Sequence, residues 1–306
     1  MQEASSFTAR IVASHGRMFF VKDANGTPFE ATRKGKKTDA VVGDIVECLA
    51  PVAGKTSILR VMERKNRLFR SDTWREKTLA ANLDTVAITF ASRPTFNPWF
   101  VWKALVAAHA EGIRTVLIRT KNELRENAEA AELFTQSLEE IGEKVISLSA
   151  LTEAEETRRI LAKEFSGETV LLVGQSGMGK STLLNTLSTE AKARTQEFSV
   201  ALDNGKQTTT ETRLYPIDID GSRFEIIDSP GFQEFGLAHL TKTDVLEAMP
   251  DIAKFVSGCR FYNCTHTREP GCAVLEALKK GLIRKDRHDF YIWLLDQIDS
   301  KRNISA

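Results

Sequence analysis

A stretch near the middle of the chain, residues 169–187, constrains the fold more than any other. Residues 169–173 form an apolar run that predicts a buried strand, and residues 182–187 predict a helix. The eight residues between them, from Gly174 to Ser181, fit the pattern G-x-x-x-x-G-K-S. Glycines allow such a loop to curl around a phosphate with its N–H groups pointing inward. The stretch therefore predicts a nucleotide-binding site.

The side chains of this loop have predicted roles. Lys180 is expected to reach the β- and γ-phosphates, and the Ser181 hydroxyl is expected to help hold Mg²⁺. The helix start behind the loop adds the positive end of a dipole. A glycine-rich turn that matched by chance would lack the strand before it and the helix after it. The predicted nucleotide-binding residues are Gly174, Gln175, Ser176, Gly177, Met178, Gly179, Lys180, Ser181 and Thr182.

Length and composition favour a folded chain of several domains. With 306 residues, of which 42% are hydrophobic, the chain is long enough for two or three domains. No apolar run approaches the roughly 18 residues of a membrane span. The first residues also lack the basic-then-apolar pattern of a secretory signal. We therefore expect a cytoplasmic protein with no membrane partner.

Positive charge is concentrated near the N-terminus. The net charge is only +1, but residues 1–80 contain 15 Lys and Arg against 9 Asp and Glu. This excess indicates a polyanionic partner for the first region, and a merely solvated surface explains it equally well.

Residues 7–68 predict a small β-domain. Five short candidate strands separated by turns are typical of a small barrel such as an OB-fold, a frequent nucleic-acid binder. Periodicity alone leaves a small β-module of unknown partner. We expect residues 67–81, which follow, to be an exposed, charged connector. The candidate strands span residues 7–14, 18–22, 28–33, 44–50 and 56–63.

Strands and helices alternate in the next part of the chain. Buried strands are predicted at residues 82–90, 114–119 and 144–148, with helices at residues 99–112 and about 126–141. This alternation predicts a parallel α/β sheet. Ligands of such sheets bind at the carboxyl ends of the strands.

Two short motifs at such strand ends resemble the guanine-binding motifs of GTPases. In GTPases a carboxylate in Asn/Thr-Lys-x-Asp accepts hydrogen bonds from guanine N1 and N2, which adenine cannot offer, and a Ser-Ala backbone contacts O6. The carboxylate here belongs to a glutamate, which adds a methylene, and threonine replaces the usual asparagine. Taken alone, a solvated helix start explains the first motif nearly as well. The motif residues are Thr120, Lys121, Asn122 and Glu123, followed by Ser149 and Ala150.

The stretches that follow the phosphate loop predict two nucleotide-sensing segments. Residues 204–210 are polar and include Thr209, the predicted switch ligand of Mg²⁺. A strand at residues 223–227 then ends in Asp-Ser-Pro-Gly, in which Asp228 would hold Mg²⁺ through water and the Gly231 N–H would meet the γ-phosphate. A simple turn is the alternative, because Ser-Pro-Gly makes good turns.

The order of these motifs indicates a circular permutation. In most GTPases the base-reading motifs follow the phosphate motifs, whereas here they precede them. The segment after the Asp228–Gly231 switch is therefore expected to be pulled directly by nucleotide-dependent movement.

A cluster of cysteines follows the switch. The spacing Cys-x₄-Cys-x-His-x₅-Cys supplies three thiolates and one imidazole, a full tetrahedral set for a structural Zn²⁺. The alternative is a set of free buried cysteines beside a surface histidine. The remaining histidines, His15, His109, His239 and His288, are expected to be ordinary side chains. The predicted zinc ligands are Cys259, Cys264, His266 and Cys272.

This combination resembles the ribosome small-subunit-dependent GTPase A family of bacteria. The resemblance covers nearly the whole chain and extends beyond the loop, switch and zinc motifs. Further matching segments are Ala13-Ser14-His15-Gly16-Arg17, Gly35-Lys36-Lys37, Val41-Val42-Gly43-Asp44, Ala81-Asn82-Leu83-Asp84, Phe96-Asn97 and Cys-Arg-Phe-x-Asn-Cys-Thr-His from Cys259 to His266.

The resemblance implies an overall α/β chain of three parts. These are an OB-fold RNA-binding domain at residues 1–68, a circularly permuted P-loop GTPase domain with a parallel sheet at residues 69–235, and a helical zinc-binding extension at residues 236–306. It further implies a protein that takes GTP with Mg²⁺, binds the small ribosomal subunit and its rRNA late in maturation, and is released after hydrolysis. We also expect a monomer, because the sequence leaves no obvious coiled coil or apolar surface stripe unassigned. In the family, the subunit strongly stimulates hydrolysis.

Two alternatives from other classes stay open at this point. One is an ATP-using enzyme with the same phosphate loop, which the altered Glu123 motif allows. The other is an RNA-binding module whose nucleotide is only structural. Competition between ATP and GTP separates the first, and equal subunit binding with GDP and a non-hydrolysable GTP analogue would identify the second.

The chain departs from the family pattern where the attacking water would be positioned. Gln207 stands where the family usually has a histidine before its Thr-Thr-Thr switch, and Phe232 occupies the position of the water-orienting glutamine of Ras-like enzymes. The Gln207 amide could hydrogen-bond a water, as glutamine does in those enzymes. Gln207 is therefore a candidate catalytic residue, with Lys180, Thr209 and Gly231.

We predict that Gln207→Ala lowers subunit-stimulated GTP turnover, because the attacking water loses a hydrogen-bonding partner. The rate of phosphate release in the presence of small ribosomal subunits measures this. An unchanged stimulated rate would show that Gln207 does not position the water.

Overall fold

Five short strands at the N-terminus close into a barrel. The computed structural model describes residues 5–33, 39–71, 76–191, 211–229 and 234–305. The barrel strands are β1 (Ser6–His15), β2 (Met18–Asp23), β3 (Pro28–Arg33), β4 (Ile45–Leu49) and β5 (Lys55–Val61). In the barrel, β1 pairs with both β2 and β4, β2 with β3, β3 with β5 and β5 with β4. The β3–β5 pairing is parallel and the other four are antiparallel.

Alternate residues of these strands fill the barrel. In β1, alternation places Ala9, Ile11 and Ala13 inside, while the residues between them are only partly buried. Phe19 and Val21 of β2 meet them from the adjacent strand. The closed five-stranded barrel confirms the β-domain predicted for residues 7–68.

The prediction of an exposed connector at residues 67–81 is wrong. Strands β6 (Arg67–Ser71) and β7 (Glu76–Ala81) form an antiparallel hairpin. Leu68 and Ala80 are fully buried, and Leu79 is nearly so. Charged residues lie between these apolar residues in the sequence. The order of polar and apolar residues in this half-buried hairpin is therefore similar to that of a solvent-exposed segment.

A six-stranded sheet forms the middle of the protein. Its strands are β8 (Thr85–Ala91), β9 (Arg114–Thr120), β10 (Val145–Ser147), β11 (Thr169–Gly174), β12 (Thr212–Ile219) and β13 (Ser222–Asp228). Their order is β10-β9-β8-β11-β13-β12; the first five strands in this order are parallel to one another, and β12 pairs antiparallel with β13. Strands β8 and β11 are buried along their whole length, as expected for central strands covered on both faces.

Helices cover both faces of this sheet. The helices of this part are α1 (Pro98–Ala110), α2 (Ala128–Glu140), α3 (Ala154–Phe165) and α4 (Lys180–Leu187). One apolar core contains residues of α1, α2 and the C-terminal helices, and a second contains residues of α3 and α4. Helix α3 has no counterpart among the sequence predictions.

The barrel and the central sheet share strand β1. Beyond the barrel, β1 pairs with β12 through Ala13 with Arg213 and Ser14 with Thr212. Arg10 of β1 also pairs with Glu225 and donates a hydrogen bond to the Thr169 hydroxyl at 2.9 Å. The two β-parts are therefore joined by backbone pairing as well as by side chains.

The C-terminal part contains less helix than predicted at residues 236–256. The helices of this part are α5 (Lys242–Glu247), α6 (Pro250–Ala253), α7 (Ala273–Lys279) and α8 (Lys285–Ser305), with a 3₁₀ turn at Val256–Gly258. Helix α8 packs on α1, where Trp99 contacts Phe290 and Trp293 with ring centroids 5.7 and 4.9 Å apart. Among the described helices, none combines the length and the apolar character needed to cross a membrane.

Gly43 lies at the contact between the barrel and the hairpin. Its φ is +95°, and a Cβ at this position would lie 2.1 Å from the backbone oxygen of Ala81. Ala81 N–H donates to Val42 O at 3.2 Å, and the Asn82 side chain donates to Gly43 O at 2.9 Å. The backbones of the two parts therefore approach too closely for any side chain.

We predict that Gly43→Ala destabilises the protein by about 2–5 kcal/mol, because left-handed strain adds to a backbone clash. Gly54→Ala is the matched control: its φ is +76°, but an added methyl would have no atom within 4 Å, so only strain of about 1 kcal/mol is expected. Urea denaturation followed by tryptophan fluorescence compares them. Equal losses would show that the close contact does not matter.

Candidate functional site

The phosphate loop lies against the end of strand β8. A Cβ on Gly174 would lie 2.0 Å from the Thr89 hydroxyl and 2.8 Å from the Thr89 backbone oxygen, so the position accepts only glycine. The Thr89 hydroxyl donates to Val173 O at 3.1 Å. On the opposite side the loop is open to solvent, because Ser176, Ser181 and Thr182 are all exposed. The loop is therefore packed against strand β8 on one side and accessible to a ligand on the other.

Lys180 occupies the centre of this loop. Its Nζ donates to Gly174 O at 2.6 Å and to Gln175 O at 2.9 Å. Burial lowers the pKa of the Lys180 ammonium, while the nearby Asp228 carboxylate acts in the opposite direction. A phosphate at the loop would favour the charged ammonium, because an opposite charge offsets the cost of burial.

Asp228 ends strand β13 beside the loop-bearing strand. It pairs in register with Leu172 of β11, and burial raises the pKa of its carboxyl group, opposed by Lys180. A divalent cation would stabilise the carboxylate form for the same electrostatic reason. The two predicted residues thus form a pair of opposite charges, each destabilised by burial, at the predicted position of the phosphate and Mg²⁺.

The predicted base-reading residues lie at the same edge of the sheet. The Thr120 hydroxyl donates to Met178 O at 2.8 Å and so connects β9 to the phosphate loop. Lys121 has φ +55°, and its Nζ donates to Arg93 O at 3.1 Å. One carboxylate oxygen of Glu123, Oε2, is buried without a hydrogen-bonding partner in the described part of the chain. A buried carboxylate oxygen of this kind requires donors, which a bound base would supply.

The second base-reading motif lies in the turn that follows β10. Ser149 and Ala150 are buried, and Asn122 N–H donates to Leu148 O at 3.2 Å. The Thr186 hydroxyl of α4 donates to Ala150 O at 3.4 Å. Both predicted base-reading motifs and the phosphate loop therefore meet at the carboxyl ends of β9, β10 and β11.

Of the predicted switch residues, the structure describes Asp228. Gln207, Thr209 and Gly231 lie outside the described residues. Thr212 and Ser229, which flank the two predicted switches, have hydroxyl oxygens 3.0 Å apart. The strands that carry the two switches are therefore linked directly at the site.

Sequence reasoning missed a connection between the phosphate loop and helix α1. Gln175 Oε1 accepts a hydrogen bond of 2.7 Å from Asn97 N–H, and Asn97 Oδ1 caps the helix by accepting from Trp99 N–H at 3.0 Å. Lys103 of the same helix bonds Glu234 at 2.6 Å and lies 4.7 Å from the Trp293 ring centroid. The Asn-Pro start of α1 is a readable capping signal, but its contact with the loop depends on tertiary structure.

The four predicted metal ligands converge at one point. Their ligand atoms all lie within 4.8 Å of one another. Cys259 Sγ and Cys272 Sγ are 3.9 Å apart, and His266 Nδ1 lies 3.6 and 3.5 Å from them. Tetrahedral zinc, with its usual bond lengths, sets about 3.8 Å between sulfurs and about 3.6 Å between sulfur and nitrogen. The donor set therefore fits a tetrahedral metal ion.

The surroundings of His266 favour its role as a ligand. Burial lowers the pKa of the His266 imidazole, which favours the neutral, ligating form. The Glu269 carboxylate accepts from Thr265 N–H at 2.8 Å and Thr267 N–H at 3.0 Å, and so fixes the turn around His266. His288, for which no sequence pattern indicates a role, lies with its Nε2 2.9 Å from His266 O.

Comparison with known proteins gives a family match over most of the chain. A family model described as RsgA GTPase matches residues 61–238. The chain is 41% identical over 290 residues to the small ribosomal subunit biogenesis GTPase RsgA of Paraburkholderia xenovorans, covering 94% of this chain and 92% of that protein. It is 44% identical over 287 residues to the protein of the same name from Bordetella pertussis, covering 94% and 95%.

Two solved structures share the fold. YloQ, a circularly permuted GTPase, superposes with a TM-score of 0.67 at 20% identity, covering 98% of this chain and 97% of that one. YjeQ from Thermotoga maritima superposes with a TM-score of 0.68 at 23% identity, covering 96% and 99%. The circular permutation predicted from the order of the motifs is confirmed by this shared fold.

We predict about one tightly bound transition-metal ion per purified chain, because four convergent donors close a tetrahedral site. Cys272→Ser should lose the ion, since it removes a thiolate. Cys48→Ser is the matched control, because Cys48 is buried in the barrel, away from the four ligands. Elemental analysis measures both. Metal retained by Cys272→Ser, or absent from the wild type, would contradict this assignment.

Proposed function

This chain belongs to the RsgA GTPase family, and we propose that it acts on the small ribosomal subunit as a switch during late maturation. The chain is a GTP hydrolase, as its family is. The observation that carries the proposal is the phosphate loop with Lys180 and Asp228 in a chain 41–44% identical to small ribosomal subunit biogenesis GTPases. The names of those relatives point to the small ribosomal subunit as the proposed partner.

We assign the hydrolytic roles residue by residue. Water attacks the γ-phosphate in line with the leaving oxygen, while Lys180 and loop N–H groups neutralise the developing charge. Gln207 orients the water, and the Gly231 N–H contacts the γ-phosphate. Ser181, Thr209 and, through water, Asp228 are the residues that would hold Mg²⁺, which would supply positive charge against the charge that develops on the phosphates.

Guanine selection is assigned to Glu123. Its unpaired Oε2, buried at the edge where base-reading motifs occur, supports this role. Thr120 differs from the usual asparagine, yet its hydroxyl bonds the phosphate loop at Met178 O, so the threonine still fixes the motif to the loop. Lys121, Asn122, Ser149 and Ala150 complete the proposed base pocket, and residues 174–182 complete the phosphate pocket.

The remaining assignments concern metal, partner surface and organisation. Three thiolates and one imidazole favour Zn²⁺ in a closed structural site. We retain the division at residues 1–68, 69–235 and 236–306, a monomeric state and a cytoplasmic location as proposals. The barrel and the zinc-binding part are proposed to dock on rRNA, a contact expected to weaken as salt concentration rises.

Phosphate release from GTP and from ATP, with and without purified small ribosomal subunits, tests the function. We expect strong stimulation by small subunits with GTP alone, because the partner completes a site that is slow by itself. Large ribosomal subunits are the matched control, since they present rRNA of another architecture. Lys180→Ala should abolish release under every condition.

Two results would contradict the proposal and favour the alternatives. Equal use of ATP would point to a general phosphate-loop hydrolase. The absence of stimulation, with equal subunit binding in GDP and in a non-hydrolysable GTP analogue, would point to an RNA-binding module with a structural nucleotide.

A further inference from the structure

A pair of aromatic side chains projects from the loop between two metal ligands. Residues 260–263 connect Cys259 to Cys264. In this loop Tyr262 is 103% exposed and Phe261 is 41% exposed. Tyr262 thus has as much accessible surface as in an extended peptide, and no described part of the protein covers its ring. Exposing a whole tyrosine ring on a structured loop forfeits the burial that aromatic side chains usually gain.

The loop that carries these rings is held in place. Arg260 N–H donates to Gly271 O at 3.0 Å, and Cys264 N–H donates to Phe261 O at 3.3 Å. The Arg260 guanidinium lies 5.5 Å from the Phe261 ring centroid. With metal ligands at both ends, the loop presents Tyr262 on a short, fixed turn. A fixed aromatic loses little entropy when it binds, which favours its use in recognition.

The charge around the aromatic pair is strongly positive. Residues 254–285 contain seven Lys and Arg and only two Asp and Glu. The Glu269 carboxylate accepts backbone hydrogen bonds within the turn around His266. Glu276 pairs with Lys280 at 3.2 Å. Lys254 and Arg260 lie over the rings of Phe255 and Phe261. Arg284 and Lys285 pair with Asp286 and Asp289 at 2.8 and 2.6 Å, so the positive excess of this segment does not come from them. It comes from Lys254, Arg260, Arg268 and Lys279, of which Arg260 lies in the same loop as Tyr262, and this excess suits a polyanion.

We propose that Tyr262, with Phe261 and Arg260 beside it, stacks on an unpaired base of single-stranded RNA. Fixed aromatics beside cations are the means by which proteins bind unpaired nucleotides, the rings contacting bases and the cations contacting phosphates. A protein partner fits less well, because charged residues are depleted at the core of protein interfaces. The inference rests on the proposed function, from which it takes RNA as the polyanion.

Fluorescence anisotropy with a labelled single-stranded RNA of about ten nucleotides tests the proposal on the full, metal-loaded chain. Tyr262→Ala should weaken binding by about 5- to 150-fold, the range that corresponds to loss of one stacked base. Tyr262→Phe should bind like the wild type, because it keeps the ring. Leu282→Ala is the matched control, since Leu282 is 61% exposed in the same region but aliphatic, and should not change affinity.

A double-stranded RNA of the same length separates stacking from general charge. Its bases are paired, so Tyr262→Ala should not weaken its binding. The proposal is overturned if Tyr262→Ala binds single strands like the control, or if it weakens binding to both RNAs equally. It is also overturned if Tyr262→Leu keeps full affinity, which would indicate an apolar contact of the kind made with proteins.

The outcome is distinguishable from failure of the proposed function. If wild-type GTP turnover is stimulated by small subunits but Tyr262→Ala binds RNA normally, the function stands and the stacking role is wrong. If Tyr262 governs RNA binding but subunits do not stimulate turnover, the stacking role stands and the partner is another RNA. Elemental analysis of each variant confirms that the metal-bound loop is intact.

Discussion

The approach of the phosphate loop to strands β8 and β9 is the constraint on which the site depends. Gly174 lies so close to Thr89 that no side chain fits, and Met178 O is fixed by the Thr120 hydroxyl. These two contacts hold the loop at its first residue and near its middle, while its outer side stays open. At the loop, Lys180 and Asp228 are both destabilised by burial in their charged forms. A bound phosphate would stabilise the charged form of Lys180, and a divalent cation would stabilise that of Asp228. The charges of the site are therefore already arranged for a phosphate ligand with its cation.

In the permuted order, the C-terminal part follows the predicted switch directly in the sequence. The chain leaves Asp228, and from Glu234 it contacts Lys103 of α1 and then enters helices α5 to α8. Helix α1 in turn is attached to the phosphate loop through Asn97 and Gln175. The loop from Cys259 to Cys264, which carries Tyr262, is thus linked to the proposed nucleotide site both along the chain and through α1.

Sequence reasoning succeeded where residue identity is forced by local chemistry. The phosphate loop, the Cys₃His spacing and the alternating barrel strands each demand particular residues within a short window, and each is found where predicted. It failed for the hairpin at residues 67–81, because its charged positions concealed an alternating pattern. The unpaired oxygen of Glu123 and the bond from His288 to the His266 backbone depend on packing between distant segments, and no local pattern encodes them.

The central claim, that this site reads guanine through Glu123, is tested most directly by the equilibrium affinities for GDP and XDP. Xanthine has an oxygen in place of the guanine N2 amino group, so a carboxylate that accepts from guanine should reject it. The wild type should prefer GDP by about a hundredfold or more, and Glu123→Gln should shift the preference to XDP. The same substitution at the exposed Glu126, which pairs with Arg93, is the control and should not. Equal affinity of the wild type for both nucleotides, or an unchanged GDP preference in Glu123→Gln, would contradict the account.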